Sequence, residues 1–201
     1  MSEWLIQACK NLDNISLFKF ADSVFQQNFK KYHENLTIFD FDNTLATTEC
    51  QIYVINNGET KTLSSQEYAT YTPMEGDKFD FRDFKACVNP KPIFENLIKL
   101  IKLYLKHGNN SVIILTARSP HSIPPILDYL SNYGLHNIKI KGVGSSNPDS
   151  KAQYIRNLLL KNPHIKRINF IDDAPENIHA VKRLKNDPQI KHVEIHTKLF
   201  V

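Results

Sequence analysis

Cysteine is scarce in this chain of 201 residues: there are three, Cys9, Cys50 and Cys87, an odd number without metal-ligand spacing. That excludes a disulfide framework and a thiolate metal site, and a reducing, cytoplasmic setting is expected. Among its six glycines there is no Gly-x-x-x-x-Gly-Lys, which excludes a P-loop kinase half. No apolar run approaches the ~20 residues of a membrane span. The opening Met1-Ser2-Glu3-Trp4 lacks the basic and apolar regions of a signal peptide. Charge of one sign is not in strong excess either. The net charge is +4, mild enough to suit a phosphorylated partner without demanding a nucleic acid. The densest basic stretches, Lys161 to Arg167 and Lys182 to Lys185, read as solvated rims.

What the chain does have is a hydrophobic content of 41% and a regular alternation of elements, enough for one α/β domain carrying a small insert. Residues 1–35 read as an N-terminal helical segment and 36–201 as the main domain. Strands are expected at Leu36 to Phe41, Ser111 to Thr116, Asn137 to Gly142, Lys166 to Ile171 and Ile190 to His196. Helices are expected at Pro92 to His107, His121 to Tyr133, Ser150 to Lys161 and Pro175 to Lys185, with Pro92 as a first helical residue and Gly134 as a stop. Pro124 and Pro125 fit the second of these best if it starts later, placing them in its first turn. Such alternation means a parallel sheet with helices on both faces. The insert spans 47–89. Within it Asn56-Asn57-Gly58 between two strand-like runs signals a hairpin, and Ser64 with Glu67 signals a capping box.

The chemistry concentrates at strand ends. Asp40 and Asp42 follow the first apolar run two residues apart, so on a strand they project to one side. Two such charges ~4 Å apart repel by roughly 4 kcal/mol at an effective dielectric of about 20, so the site needs a cation or a shared proton. Thr116 and Arg118 end the second sheet strand, Asp172 and Asp173 the fourth, and Lys151 opens the helix between them. Ligands of open α/β sheets bind beyond the carboxyl ends of the strands, where these groups would meet. Taken singly, each has a plainer reading. Thr116 would be an ordinary strand-end hydroxyl, Lys151 a solvated residue of a first helical turn, and Asp172-Asp173 a cap for the next helix.

Together, Asp-x-Asp-x-Thr, then Thr, then Lys, then Asp-Asp resembles the haloacid dehalogenase superfamily of aspartate-nucleophile phosphatases, over about Leu36 to Ile195. The resemblance implies a Rossmannoid three-layer α/β sandwich with a five-stranded parallel sheet in the order 5-4-1-2-3 and a small β-hairpin flap after the first strand. It implies Asp40 as nucleophile, Asp42 as general acid and base, Thr116 on the transferring phosphoryl group and Lys151 neutralising Asp40. It further implies a magnesium ion held by Asp40, the Asp42 carbonyl and Asp173, with Asp172 as a supporting or alternative ligand. Asn43 and Thr44 would shape the loop at the substrate. Arg118 would either contact the substrate or form a structural ion pair.

The expected activity is magnesium-dependent hydrolysis of a phosphate monoester through an aspartyl-phosphate. One helix and one strand fill the stretch between Thr116 and Lys151, leaving no room for a large second cap, so the site should be open. A nucleotide or nucleic-acid end is the leading substrate, since the pattern is similar to small phage- and virus-encoded members and to the phosphatase half of polynucleotide kinase–phosphatases. A sugar phosphate, a phosphoprotein or another metabolite are alternatives, as is a catalytically degenerate binding module. A receiver domain fits poorly, because its adjacent acidic pair would end the first strand rather than a late one.

Overall fold

The computed structural model describes residues 34–106 and 112–200. Nearly all of the expected N-terminal segment lies outside the described residues. Five parallel strands form the central sheet: β1 (Asn35–Phe39), β7 (Val112–Thr116), β8 (Lys139–Gly142), β9 (Arg167–Asp172) and β10 (Glu194–Leu199). Their order is β10-β9-β1-β7-β8, that is 5-4-1-2-3, with β1 in the centre. The architecture is α/β, a parallel sheet flanked by helices and compatible with a Rossmann-like fold.

Side-chain alternation divides the core. Leu36 and Ile38 of β1, Ile113 and Leu115 of β7, and Ile168 and Phe170 of β9 are packed in one buried cluster. Helices α4 (Pro148–Lys161) and α5 (Pro175–Arg183) cover it with Ile155, Leu159, Ile178 and Val181. Phe39, Phe41, Val112, Ile114 and Ile171 belong to the second cluster. Helices α2 (Glu95–Lys106) and α3 (Ile123–Ser131) cover it with Ile98, Ile101, Ile126 and Leu130. Both faces of the sheet are therefore dry, which is why its strands read as continuous apolar runs rather than as alternation.

The insert between β1 and α2 begins with β2 (Ala46–Thr47), which pairs with β6 (Lys91–Pro92) to close its stem. Inside the stem, β3 (Ile52–Asn56), β4 (Glu59–Leu63) and β5 (Lys78–Asp80) form a small antiparallel sheet in the order β4-β3-β5. Asn57 and Gly58, at φ of 50° and 86°, form the two-residue hairpin turn that needs positive φ at both positions. Helix α1 (Ser65–Thr70) starts with the expected box, Glu67 N–H donating to Ser64 and Ser64 N–H donating to the Glu67 carboxylate.

Several expected boundaries move. β1 ends at Phe39 rather than Phe41, because the chain turns back at Asn43, whose φ is 54°. Pro92 is not a first helical residue. It pairs with Ala46 in the stem and the helix starts at Glu95. The helix expected from His121 begins at Ile123, after a 3-10 turn, with the prolines in its first turn. The last strand begins at Glu194 rather than Ile190. Ile190 is buried in the turns that precede β10, where Val193 N–H donates to the Ile190 carbonyl, and the apolar signal of those residues belongs to a packed loop. Among the described residues, no helix is long and apolar enough to cross a membrane.

Candidate active site

Every sequence-flagged group lies at the carboxyl edge of the sheet. β1, β7 and β9 deliver Asp40, Thr116 and Asp172 from adjacent positions, since β1 pairs with both other strands. Asp40 continues the ladder for one more residue, its N–H donating to the Ile171 carbonyl at 2.9 Å. Asp40 shares the parity of Leu36 and Ile38, and Asp172 that of Ile168 and Phe170. Both side chains therefore face α4, which carries Lys151 one turn in from its start.

Lys151 is no solvated helix residue: it is 2% exposed. Its Nζ lies 2.8 Å from Asp40 Oδ1 and 2.7 Å from Asp172 Oδ2. Burial works against its charge, but the Asp40 and Asp172 carboxylates outweigh burial and hold the ammonium above the ordinary lysine value. Asp40 moves the other way. Burial raises its pKa well above the ordinary 3.8, and the nearby Asp172 and Asp42 charges add to burial against the pull of Lys151. One ammonium thus serves more carboxylates than it can neutralise.

The adjacent acids are not equivalent. Asp172 is fully buried, and both its oxygens are taken. Oδ1 accepts from Ala174 N–H and from the Asn177 amide, each at 2.9 Å, and Oδ2 accepts from Lys151 and again from Asn177 at 3.1 Å. Asp173 is half-buried and accepts the Thr44 hydroxyl at 3.4 Å. Burial, with Asp172 beside it, raises the Asp173 pKa, and the Asn43 side chain acts in the lowering direction. One carboxylate oxygen each from Asp40, Asp172 and Asp173 lie within 4.8 Å of one another, a grouping that can hold a metal ion. Asp40 Oδ1 is buried, and Lys151, 2.8 Å away, is an ammonium that it shares with Asp172. A single ammonium divided between two buried carboxylates leaves negative charge that a further cation would offset.

Asp42 has a different cation. Arg118 donates from Nε to Asp42 Oδ2 at 2.8 Å and from Nη2 to Oδ1 at 2.7 Å, a two-pronged ion pair. The same guanidinium donates to the Thr48 hydroxyl at 3.0 Å, just past β2, and to the Ala86 carbonyl, at the end of the 3-10 turn Arg82–Lys85 of the insert. Its central carbon lies 4.8 Å from the Phe84 ring centre. Arg118 thus forms a structural ion pair that fastens Asp42 to the base of the insert, and it also lines the cavity. Thr116 is buried, and its hydroxyl accepts the Arg118 N–H at 3.2 Å, so it shapes the turn after β7. Asn43 holds the β1 turn by donating its N–H to the Ala46 carbonyl at 2.9 Å.

A cavity of about 630 Å³ joins these groups, reaching Asp40, Asp42, Asn43, Thr116, Arg118, Lys151 and Asp173. Ser119, Gly144 and Ser145 contribute its far rim. Between β7 and α4 there are only α3, β8 and short turns, so no second cap covers it. The insert supplies one wall through Tyr68, Phe81 and Phe84. Sequence reasoning missed Asn177, Thr48 and this aromatic wall. Asn177 had a signal, an amide in the first turn of the helix directly after Asp-Asp. Thr48 had none.

Compared with models of protein families, with curated proteins and with solved structures, the chain matches none.

Proposed function

We propose that this chain is a phosphatase of the haloacid dehalogenase kind, hydrolysing phosphate monoesters with magnesium through a phosphorylated Asp40. The observation that carries the reading is the meeting of buried Asp40 and Asp172, which share the Lys151 ammonium, with half-buried Asp173 beside an open cavity. Three carboxylates against one lysine leave negative charge that a small dication balances. An all-oxygen donor set with room for water and phosphate oxygens suits magnesium. Asp40 and Asp173 would hold the ion, because Asp172 has its oxygens committed to Lys151, Asn177 and Ala174 N–H. Bound there, it would offset charge on phosphate oxygens.

Asp40 attacks phosphorus and the bond from phosphorus to the ester oxygen breaks. Asp42, when protonated, gives its proton to that departing oxygen. Water then attacks the phosphorus of the Asp40 acyl phosphate, its proton passing to Asp42, and inorganic phosphate leaves with Asp40 restored. Dividing hydrolysis into two displacements suits a reaction whose uncatalysed rate is so low. Lys151 keeps Asp40 oriented and meets the charge that grows on the phosphoryl oxygens. Both Asp42 oxygens face donors of Arg118 or Thr48, so Asp42 must turn partly out of that grip to reach a substrate.

Phosphate release from an aryl phosphate, with and without magnesium, tests the reading. Turnover that needs magnesium and vanishes in Asp40→Asn is expected. A folded wild-type protein inert toward aryl phosphates, nucleotides, phosphorylated ends, sugar phosphates, phosphopeptides and other phosphorylated metabolites would leave only the binding-module alternative.

A further inference from the structure

The insert wall takes no part in the chemistry above, yet it is the most aromatic surface of the cavity. Phe81 is 40% exposed at the cavity wall, an arrangement that burial alone does not favour. Its ring is set among others, 5.5 Å from Tyr68 at 89° and 6.1 Å from Phe84 at 70°. The turn that follows Phe81 and carries Phe84, Arg82–Lys85, is pinned in place. The Asp83 carboxylate accepts Gln51 N–H at 3.1 Å and the Tyr53 hydroxyl at 3.3 Å, and the Ser122 hydroxyl donates to the Phe84 carbonyl. A rigid, half-wet ring beside a cavity is ready to stack on a flat ligand.

Its place in the cavity wall relative to the carboxylates bears on which flat ligands fit. Phe84 lies next to Arg118, which is itself paired with Asp42, and Phe81 lies one ring beyond Phe84. The ring open to a ligand thus stands beyond both Phe84 and Arg118 as seen from Asp42. A ring bonded directly to the phosphate oxygen, as in an aryl phosphate, would sit against Phe84 instead. A ring separated from the phosphate by a sugar would be carried past Phe84 toward Phe81, in the same cavity as Asp40. Lys85, exposed on the same turn and without an ion pair among the described residues, adds a cation at the cavity wall.

Resting on the phosphatase reading, we propose that Phe81 is the stacking platform for the base of a nucleoside phosphate whose phosphate lies at Asp40, with Lys85 meeting polar atoms of the base or a neighbouring phosphate. Stacking on an aromatic side chain tolerates any base, so the site selects nucleotides as a class. A free mononucleotide and the terminal nucleotide of a polynucleotide share this chemistry.

Calorimetric binding to Asp40→Asn protein tests it, using a nucleoside monophosphate, ribose 5-phosphate and phenyl phosphate. The nucleoside monophosphate should bind about tenfold or more tightly than ribose 5-phosphate, the order expected of one base on one ring. Phe81→Leu should abolish that ratio and Phe81→Trp should keep it. Equal binding of the two ligands, a ratio unchanged in Phe81→Leu, or an equal gain for phenyl phosphate would each overturn the proposal. With phosphorylated oligonucleotides, tighter binding that Lys85→Gln removes assigns the polynucleotide end, and binding equal to the mononucleotide assigns the free nucleotide. A ring preference in this variant with no phosphate release by wild type sinks the phosphatase reading alone. Release without ring preference sinks the stacking site alone.

Discussion

Arg118 holds Asp42 by both carboxylate oxygens, at 2.7 and 2.8 Å, from a guanidinium whose side chain is 1% exposed. The pair joins the turn after β7 to the turn after β1 and, through Thr48 and Ala86, to the insert. Removing the cation leaves Asp42 beside Asp40 with no counter-charge. Arg118→Met should cost about 3 kcal/mol in urea unfolding, the low end for breaking a buried pair because Asp42 is partly wet. The double variant Arg118→Met with Asp42→Asn should recover part of that loss. Strict additivity of the two changes would show that the pair carries no coupling.

Asp40→Asn should separate activity from stability. The site raises the Asp40 pKa, chiefly by burial, so at neutral pH the ionised form is held at a cost. A neutral isostere relieves it. Thermal melts without metal should show the Asp40→Asn variant at or above the wild-type Tm, while magnesium-dependent phosphate release disappears. A clear fall in Tm would mean that the Lys151 ion pair outweighs burial.

The same shifts set a pH dependence. Asp40 and Asp173 both have folded pKa values above the ordinary 3.8, so the folded chain binds their protons more tightly than the unfolded chain does. Their contribution therefore favours folding at low pH and is lost as pH rises from about 3.8 through the folded values. Magnesium competes with those protons. The Tm gain from saturating magnesium should be largest near neutral pH and shrink on acidification, and a gain independent of pH would place the ion elsewhere.

Lys151→Met removes the one ammonium between Asp40 and Asp172. Two buried carboxylates then lose their counter-charge, so a loss of about 3–5 kcal/mol is expected, together with activity. Magnesium should restore more stability to this variant than it adds to wild type, read as the difference in Tm shift. Lys151→Arg should not substitute, because a planar fork cannot occupy the space of a compact ammonium between two acids.

Gly142 ends β8 against the turn after β7. A Cβ there would stand 2.6 Å from the Arg118 carbonyl oxygen and 2.8 Å from that of Ser119. Gly142→Ala must push this turn aside, and with it Arg118 and the cavity rim. A shift of about 1 Å is enough to cost about 10²-fold, so kcat/KM should fall by roughly one to two orders of magnitude in a protein that still folds. Unchanged kinetics would detach the 117–119 turn from the site.

The order of elements, the parallel sheet, the hairpin at Asn57-Gly58 and the Ser64–Glu67 box were legible in the amino-acid sequence, because each depends on local periodicity or turn chemistry. The site's floor was legible for a related reason: strand ends of a parallel sheet converge, so Asp40, Thr116 and Asp172-Asp173 had to meet. The sequence left the two members of the acidic pair undistinguished; in the fold Asp172 shares the parity of Phe170 and faces Lys151. What only the tertiary structure decided is who neutralises whom. Arg118 reaches Asp42 across 76 residues of chain, and Asn177 donates to both oxygens of Asp172. Thr48, Ala86 and the wall of Phe81 and Phe84 come to the site from a segment whose own pattern says only hairpin and capping box. Those pairings depend on how the insert folds back over the sheet, a packing outcome set by long-range burial and charge balance that no local spacing records.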